Sequence, residues 1–391
     1  MKKTASALPL LSAVLLSTSF LSGTISASPL KNTDFSFSGY VKLDAIASSY
    51  SDGTLASGNI GRDFYVPSLT PVGGEDEDTQ FDAHIRQSRF RFASDTTLSN
   101  GEHIKAVMEF DMQVVPGGDD RISNSHQPRI RHAFITYKNW LFGQTWTTFQ
   151  DVSALPETLD FIGVTDGTIF ARQAMVRYTN GAFQVALENP ETTVSPYQGG
   201  GRIVADDNAV PDLVLRYNHK RDWGHVTVAA LVRQLAYQNQ QGSNDIDSTE
   251  TSYGISIGAK LKLGDDDLRL MFNTGTGLGR YSGLNIVNGA VLDENNNLQA
   301  IDSTGFAIAY RHMWNEQWRS SFTYSAFSAD NETDLTGLNT TESTWSTRAN
   351  LLYSPSKELT FGAEYGFAKR EVESGLEGDM NRLQFSAKYA F

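Results

Sequence analysis

Along most of the chain, apolar residues return at every second place. "FSFSGYVKLDAIA" sets Phe35, Phe37, Gly39, Val41, Leu43 and Ala45 against Ser36, Ser38, Tyr40, Lys42 and Asp44, and "RLQFSAKYAF" sets Leu383, Phe385, Ala387, Tyr389 and Phe391 against Gln384, Ser386 and Lys388. Side chains of a strand point alternately to its two faces, so each segment reads as a strand with one oily and one wet face. Counting similar segments such as "HVTVAALVR", "SYGISIGAKLKL" and "LTFGAEYGFA", the pattern predicts sixteen strands. Three of them, "FDAHIRQSRFRFAS", "PRIRHAFITY" and "RQAMVRYT", are less regular. In the first, Ile85 is odd whereas Phe90 and Phe92 are even, a change of phase that one extra residue in a bulge would produce.

The connections alternate as well. Seven are short and rich in turn residues, among them "TLSNGE", "TNG" and "GDDD"; eight are long, at about 49–80, 115–127, 148–171, 190–211, 235–251, 274–303, 328–343 and 370–379. Aromatic residues gather beside the short turns, as Trp140, Tyr178, Tyr217, Trp223, Trp314, Trp318 and Tyr353 do. Rings at one end of many strands are the girdle of a membrane–water boundary, and alternating turns and loops are the plan of an outer-membrane barrel. The expected fold is all-β: a 16-stranded antiparallel transmembrane β-barrel. A soluble sandwich, whose aromatics would fill a core, accounts poorly for sixteen long two-faced strands with so little helix between them.

The first residues give the route. "MKKTASALPLLSAVLLSTSFLSGTISAS" has Lys2 and Lys3, an apolar run to about Leu21 and small residues around Ala27, the layout of a secretory signal peptide spanning 1–27. Residues 28–391 then form one barrel domain exported to the bacterial outer membrane, amid its lipid and lipopolysaccharide. The net charge of −13, or −15 without Lys2 and Lys3, argues against a nucleic-acid partner. There is no cysteine, hence no disulfide or thiolate site.

With the apolar set on lipid, the alternate set faces the lumen. It holds Lys42, Arg89, Arg91, Arg129, Arg131, Arg177, Arg216, Arg319 and Arg348, together with Lys105, Arg233, Lys260, Lys262, Arg269, Arg311, Arg382 and Lys388. Against these seventeen cations stand five inward acids, Asp44, Glu109, Asp111, Glu188 and Glu364; most other carboxylates fall in loops such as "GGEDEDTQ". A cationic wall favours anions and repels cations, and guanidinium can grip a carboxylate through two parallel hydrogen bonds. The alternative is that the arginines pair with loop acids and only brace the barrel. The densest group is Arg89, Arg91, Arg129, Arg131 and Arg177.

The third long connection, "TFQDVSALPETLDFIGVTDGTIFARQ", carries Phe149, Leu155, Leu159, Phe161, Ile162 and Phe170 among Asp151, Glu157, Asp160 and Asp166. A loop in water does not need so many apolar residues. Folded back into the barrel, at about 148–171, it would pack them on the wall and set its acids opposite the arginines, as a constriction loop. An external cap or a subunit contact is the other reading. The histidines show no metal-ligand spacing, no nucleophile signature appears, and neither an enzyme nor a cofactor is expected.

Several segments resemble the DcaP-like outer-membrane porins: "SGYVKLDAIASSYSDG", "RDFYVPSLTPVGG", "RQSRFRFASDT", "RIRHAFITYKNWLFGQTWTTFQD", "ARQAMVRYT", "ENPET" and "GTGLGRYSGL". The resemblance implies a trimeric, passive, 16-stranded channel favouring small anions, dicarboxylates among them, with Arg89, Arg91, Arg129, Arg131 and Arg177 lining its narrow zone. Arg91 stands where a small residue is more usual in that family. The resemblance also implies that outer-membrane assembly machinery recognises Phe391. A non-selective porin is the alternative, and an adhesin or enzyme on the same scaffold a more distant one.

Overall fold

The structure, a computed structural model, describes residues 32–113, 123–239 and 245–391. The leader expected at 1–27 lies outside them, as does most of the second long connection. Sixteen antiparallel strands form a closed barrel. They are β1 (Thr33–Tyr50), β2 in two pieces (Gln80–His84 and Arg89–Thr97), β3 (His103–Asp111), β4 (Arg129–Tyr137), β5 (Trp140–Trp146), β6 (Arg172–Asn180), β7 (Phe183–Glu188) and β8 (Asp212–Arg221). There follow β9 (Gly224–Asn239), β10 (Ile246–Leu263), β11 (Asp266–Thr276), β12 (Asp302–Met313), β13 (Trp318–Asp330), β14 (Thr341–Tyr353), β15 (Leu359–Val372) and β16 (Glu377–Ala390).

Closure is made by β1 and β16, paired from Tyr40 with Ala390 to Tyr50 with Met380. Gly39 and Phe391 exchange both backbone hydrogen bonds at 3.0 Å. With β2 on the other side of β1, no strand of the barrel is left with an open edge, the condition for β structure in hydrocarbon.

The outward face is as the alternation predicts. Phe35, Phe37, Val41, Leu43, Leu383, Phe385 and Tyr389 are all exposed, and similar side chains continue round the barrel. An apolar belt of that extent is far larger than a soluble monomer shows. Ring pairs Trp140–Tyr178, Phe183–Tyr217 and Trp318–Tyr353 sit 4.6–4.8 Å apart at the short-turn end. Tyr324, Trp345 and Phe367 form a second cluster towards the long-connection end.

Two of the three irregular strands prove to be bulged, while β6 pairs in unbroken register on both sides. Asp44 faces His84 and Tyr40 faces Arg89, so three residues of β1 lie opposite four of β2, and the faces reverse across residues 85–88. Ser88 mends the broken ladder: its Oγ accepts from the Lys42 N–H at 3.0 Å and donates to the Lys42 carbonyl at 3.3 Å. On β4, Arg131 is the extra residue between Ile130, paired with Phe110, and His132, paired with Glu109.

Two expectations change. The connections expected at 235–251 and 370–379 are mostly strand, since β9, β10, β15 and β16 run on to Asn239, Ile246, Val372 and Glu377. Four short strands, Thr192–Ser195, Ile203–Ala205, Ala290–Leu292 and Leu298–Ala300, join the connections at 189–211 and 277–301 into a small separate sheet. Their alternation was too short to be told from loop.

Candidate functional site

The third connection, 147–171, folds into the barrel. Its apolar residues Phe149, Ala154, Leu159, Ile162, Val164 and Ile169 are buried. Ala154 and Val164 pack on Met271 and Ala307 of the inner wall, while Phe149 and Ile169 join Val214, Ala229 and Leu231. Gly167 lies directly on the Phe306 carbonyl, with no room for a Cβ. The first connection, 51–79, turns inward too, which its sequence gave no ground to expect. Phe64 and Val66 pack on Ile162 and Phe170, and Tyr65 Oη donates to Asp166 at 2.7 Å. Burial, and then the Asp166 carboxylate, hold that phenol well above its ordinary pKa.

An irregular segment inside a barrel needs partners for its backbone groups, and the polar wall supplies them. Lys42 Nζ and Gln384 Nε2 donate to the Leu159 carbonyl at 2.6 and 2.9 Å. Arg216 donates to the Gln150 carbonyl at 2.6 Å, Arg348 to that of Gly163 at 2.8 Å, and Asn350 to that of Glu157 at 2.9 Å. Arg269 donates to the Leu155 carbonyl. The Glu364 carboxylate accepts from the Leu159 and Asp160 N–H groups at 2.8 and 3.1 Å.

The loop's four acids divide. Glu157 accepts from Arg319 Nε at 2.8 Å, with Arg311 at 3.9 Å, and Asp151 meets His225 at 2.8 Å and Arg216 at 3.6 Å. Asp160 and Asp166 have no arginine in contact among the described residues. Asp160 accepts the Tyr65, Ile162 and Gly163 N–H groups, and Asp166 the hydroxyls of Tyr65, Ser325 and Ser346. Burial works to raise both the Glu157 and Asp160 carboxyls. Arg319 outweighs it for Glu157, and Arg348 and Arg382 with the backbone donors do so for Asp160, so both stay below the usual carboxylate range.

Many of the expected inward cations are therefore engaged with the loop or with wall acids. Lys42 also pairs with Asp44 at 3.0 Å, and Arg216, Arg319 and Arg348 hold the loop. Arg177 stands apart from the group in which the sequence set it: it donates to Thr148 Oγ1 at 2.7 Å and to the Trp146 carbonyl at 2.6 Å, bracing the loop's stem.

What remains is a cluster on β2, β3, β4 and β6. Arg129 grips Asp111 through two hydrogen bonds of 3.0 Å. Arg131 donates to Glu109 and Asp111, both at 2.9 Å, and lies over the rings of Trp146 and Phe161. Arg89 is 3.5 Å from Glu109, and Arg91 is exposed with no ion pair among the described residues. The fifth guanidinium, Arg172, is one the sequence reading missed. It stacks 4.5 Å over Trp146, and its buried Nη1 has no hydrogen-bond partner among the described residues. Five guanidiniums share two carboxylates, Glu109 and Asp111. β2, β3 and β4 give the in-folded loop no hydrogen bond among the described residues, so it leans on the rest of the wall and faces this cluster with Phe161 and Phe170.

The chain matches the model of the DcaP outer membrane protein family over residues 81–391. It belongs to that family. No curated protein sequence gives a significant match. Among solved structures it is similar to the outer membrane channel DcaP of Acinetobacter baumannii, at 23% identity and TM-score 0.75, covering 92% of this chain and 98% of that one. It is also similar to OmpT of Vibrio cholerae (14% identity, TM-score 0.55, 92% and 98% covered) and to an anion-selective porin from Comamonas acidovorans (11%, 0.54, 92% and 100%). These are likenesses of fold. Family and fold together make this DcaP-family chain an outer-membrane β-barrel of the porin kind.

Within that frame, the acids overlooked on the wall become readable. Asp212 pairs with Arg233 at 3.3 Å, and Asp267 with Arg269 at 2.6 Å and Arg311 at 2.8 Å. Asp212 is the first residue of β8 and Asp267 the second of β11, each in the same phase as an inward arginine, Arg216 and Arg269, a signal parity alone could have supplied. Arg172 has the opposite parity to Arg177, and its position on the first residue of β6, beside Trp146, is a tertiary fact.

Proposed function

We propose that the protein is a passive porin that favours small hydrophilic anions, dicarboxylates among them, across the outer membrane. The observation that carries the selectivity is the surplus of guanidinium over carboxylate in the cluster facing the third loop: among the described residues Arg91 and Arg172 make no ion pair with an acid. Low-dielectric walls focus such a field, and the solute must be held weakly enough to leave. The porin fold, shared with a chain described as an anion-selective porin, supports the channel. A homotrimer, in line with a trimeric form of OmpT of Vibrio cholerae, and a leader cleaved near Ala27 complete the proposal.

The deciding test is the reversal potential of the purified mature barrel in a planar bilayer under a salt gradient. An anion-favouring potential that falls in the R91A/R172A double variant supports the reading. Stable channels without anion preference would return the alternative, a general porin with its arginines neutralised. Folded barrels that conduct nothing would bring the adhesin or enzyme forward.

A further inference from the structure

At the short-turn ends of β6, β7, β8 and β9 the outer wall of the barrel carries an apolar recess of about 410 Å³. Val185, Leu215, Val228 and Ala230 line it, all exposed on the lipid-facing side, and the rings of Phe183 and Tyr217 pair at 4.8 Å on the side nearer the turns. Beyond Tyr217 the same face of β8 continues as His219 and Arg221. The His219 ring lies between those of Tyr217, at 6.4 Å, and Trp223, at 6.2 Å. Arg221 is exposed; its guanidinium donates only to the Lys220 carbonyl, at 3.3 Å, and makes no ion pair among the described residues. Lys220 and Lys262, the latter bonded through its N–H to the Trp223 carbonyl at 2.8 Å, are exposed and equally without ion pairs among the described residues. The acids nearest in sequence, Asp222 and Asp265, pair with none of the three. By contrast Lys138, in the turn between β4 and β5, is held by Glu102 at 2.5 Å.

An apolar recess in hydrocarbon discriminates nothing by itself, because lipid tails are as apolar as its walls. Discrimination has to come from the charge at its end. Aromatic rings mark the membrane boundary, and the short turns lie on the periplasmic side of such a barrel. At ~3.4 Å per residue, Arg221 lies about 14 Å along β8 from Tyr217, or about 10 Å in depth at a strand tilt of ~45°. That sets it at or just past the lipid headgroups, and a long arginine stem reaches back to them. A guanidinium without an acid of its own meets a phosphate there through two parallel hydrogen bonds.

We propose that this recess seats one anionic phospholipid of the periplasmic leaflet, an acyl chain along Leu215 and Ala230 and the phosphate on Arg221. Lys220 and Lys262 add to the positive field, which favours a lipid of net negative charge over a zwitterionic one with the same chains. The proposal stands on the outer-membrane barrel alone. What the lumen conducts does not enter it.

The experiment is native mass spectrometry of the detergent-solubilised barrel, titrated with dioleoyl phosphatidylglycerol or dioleoyl phosphatidylethanolamine. R221Q removes the charge, and A230F fills the recess with a side chain that lipid tolerates. K357Q, an exposed cation of the turn between β14 and β15, is the control for the general field. The parent should bind phosphatidylglycerol about fivefold or more tightly than phosphatidylethanolamine. R221Q should bring the two lipids together, A230F should weaken phosphatidylglycerol binding by a similar factor, and K357Q should change nothing. Circular dichroism confirms the barrel in each. The proposal is overturned if the parent binds both lipids alike, if R221Q or A230F binds phosphatidylglycerol as the parent does, or if K357Q weakens it as much as R221Q. It is also overturned if A230F lowers the oligomeric state, which would show that a second copy covers this face. Reversal potentials report on the lumen, so either reading can fail without the other.

Discussion

Arg319 on β13 and Glu157 in the third connection, 162 residues apart in sequence, are joined by two hydrogen bonds between guanidinium and carboxylate. The pair pins the loop to the wall at a point where Arg311 also approaches. Removing either partner leaves a half-buried charge unpaired. R319A should loosen the loop at a cost of about 1.5–3 kcal/mol, the range for a hydrogen bond to a charged group. Single-channel recordings should show raised open-channel noise.

The same pair sets a pH dependence. The Glu157 carboxyl is held below its ordinary value, because Arg319 outweighs the burial that would raise it. Its contribution is therefore complete above the unfolded value of about 4.3 and is lost as pH falls through the lower folded value. Noise should stay low from neutral pH to about 4.5 and rise only in stronger acid. An onset near pH 6 in the parent would show that a group other than Glu157 sets the clamp.

Selectivity should follow pairing rather than position. Losing one unpaired charge near a pore is worth about 1 kcal/mol, roughly fivefold in the anion-to-cation permeability ratio. R172A and R91A should each show a drop of that order. R348A, whose guanidinium is buried against Gly163 and Glu364, should change loop stability instead and leave the ratio within about twofold. Equal effects of all three on the reversal potential would show that pairing is irrelevant.

Gly167 tests the seating of the loop. Valine there meets the Phe306 carbonyl, which belongs to the barrel ladder and cannot retreat. G167V should keep the barrel by circular dichroism while unseating the loop, seen as proteolysis between residues 150 and 170 and as a changed conductance.

Ser88 tests the bulge. S88A leaves the Lys42 N–H without its acceptor, at a cost of about 1–3 kcal/mol. The unfolding midpoint in urea should fall, whereas replacing an exposed serine such as Ser123 should leave it unmoved.

The sequence by itself determined the barrel. Its period of two fixes which side chains meet lipid, and a belt of Phe35, Val41, Leu43 and their counterparts leaves the other set no place but the lumen. The in-folded loop was legible for the same reason: Phe149, Leu159 and Ile162 have to be buried somewhere. Period also betrayed the bulge after His84, because a lost residue of register moves every later side chain to the other face. Pairing was decided only in the tertiary structure. Whether a guanidinium meets a carbonyl, as Arg348 does, a carboxylate, as Arg129 does, or only an aromatic face, as Arg172 does among the described residues, depends on which groups of distant segments come close to it. Alternation counts charges on a face; hydrogen bonds across the lumen, between residues up to hundreds of positions apart, decide which of those charges remain for a solute.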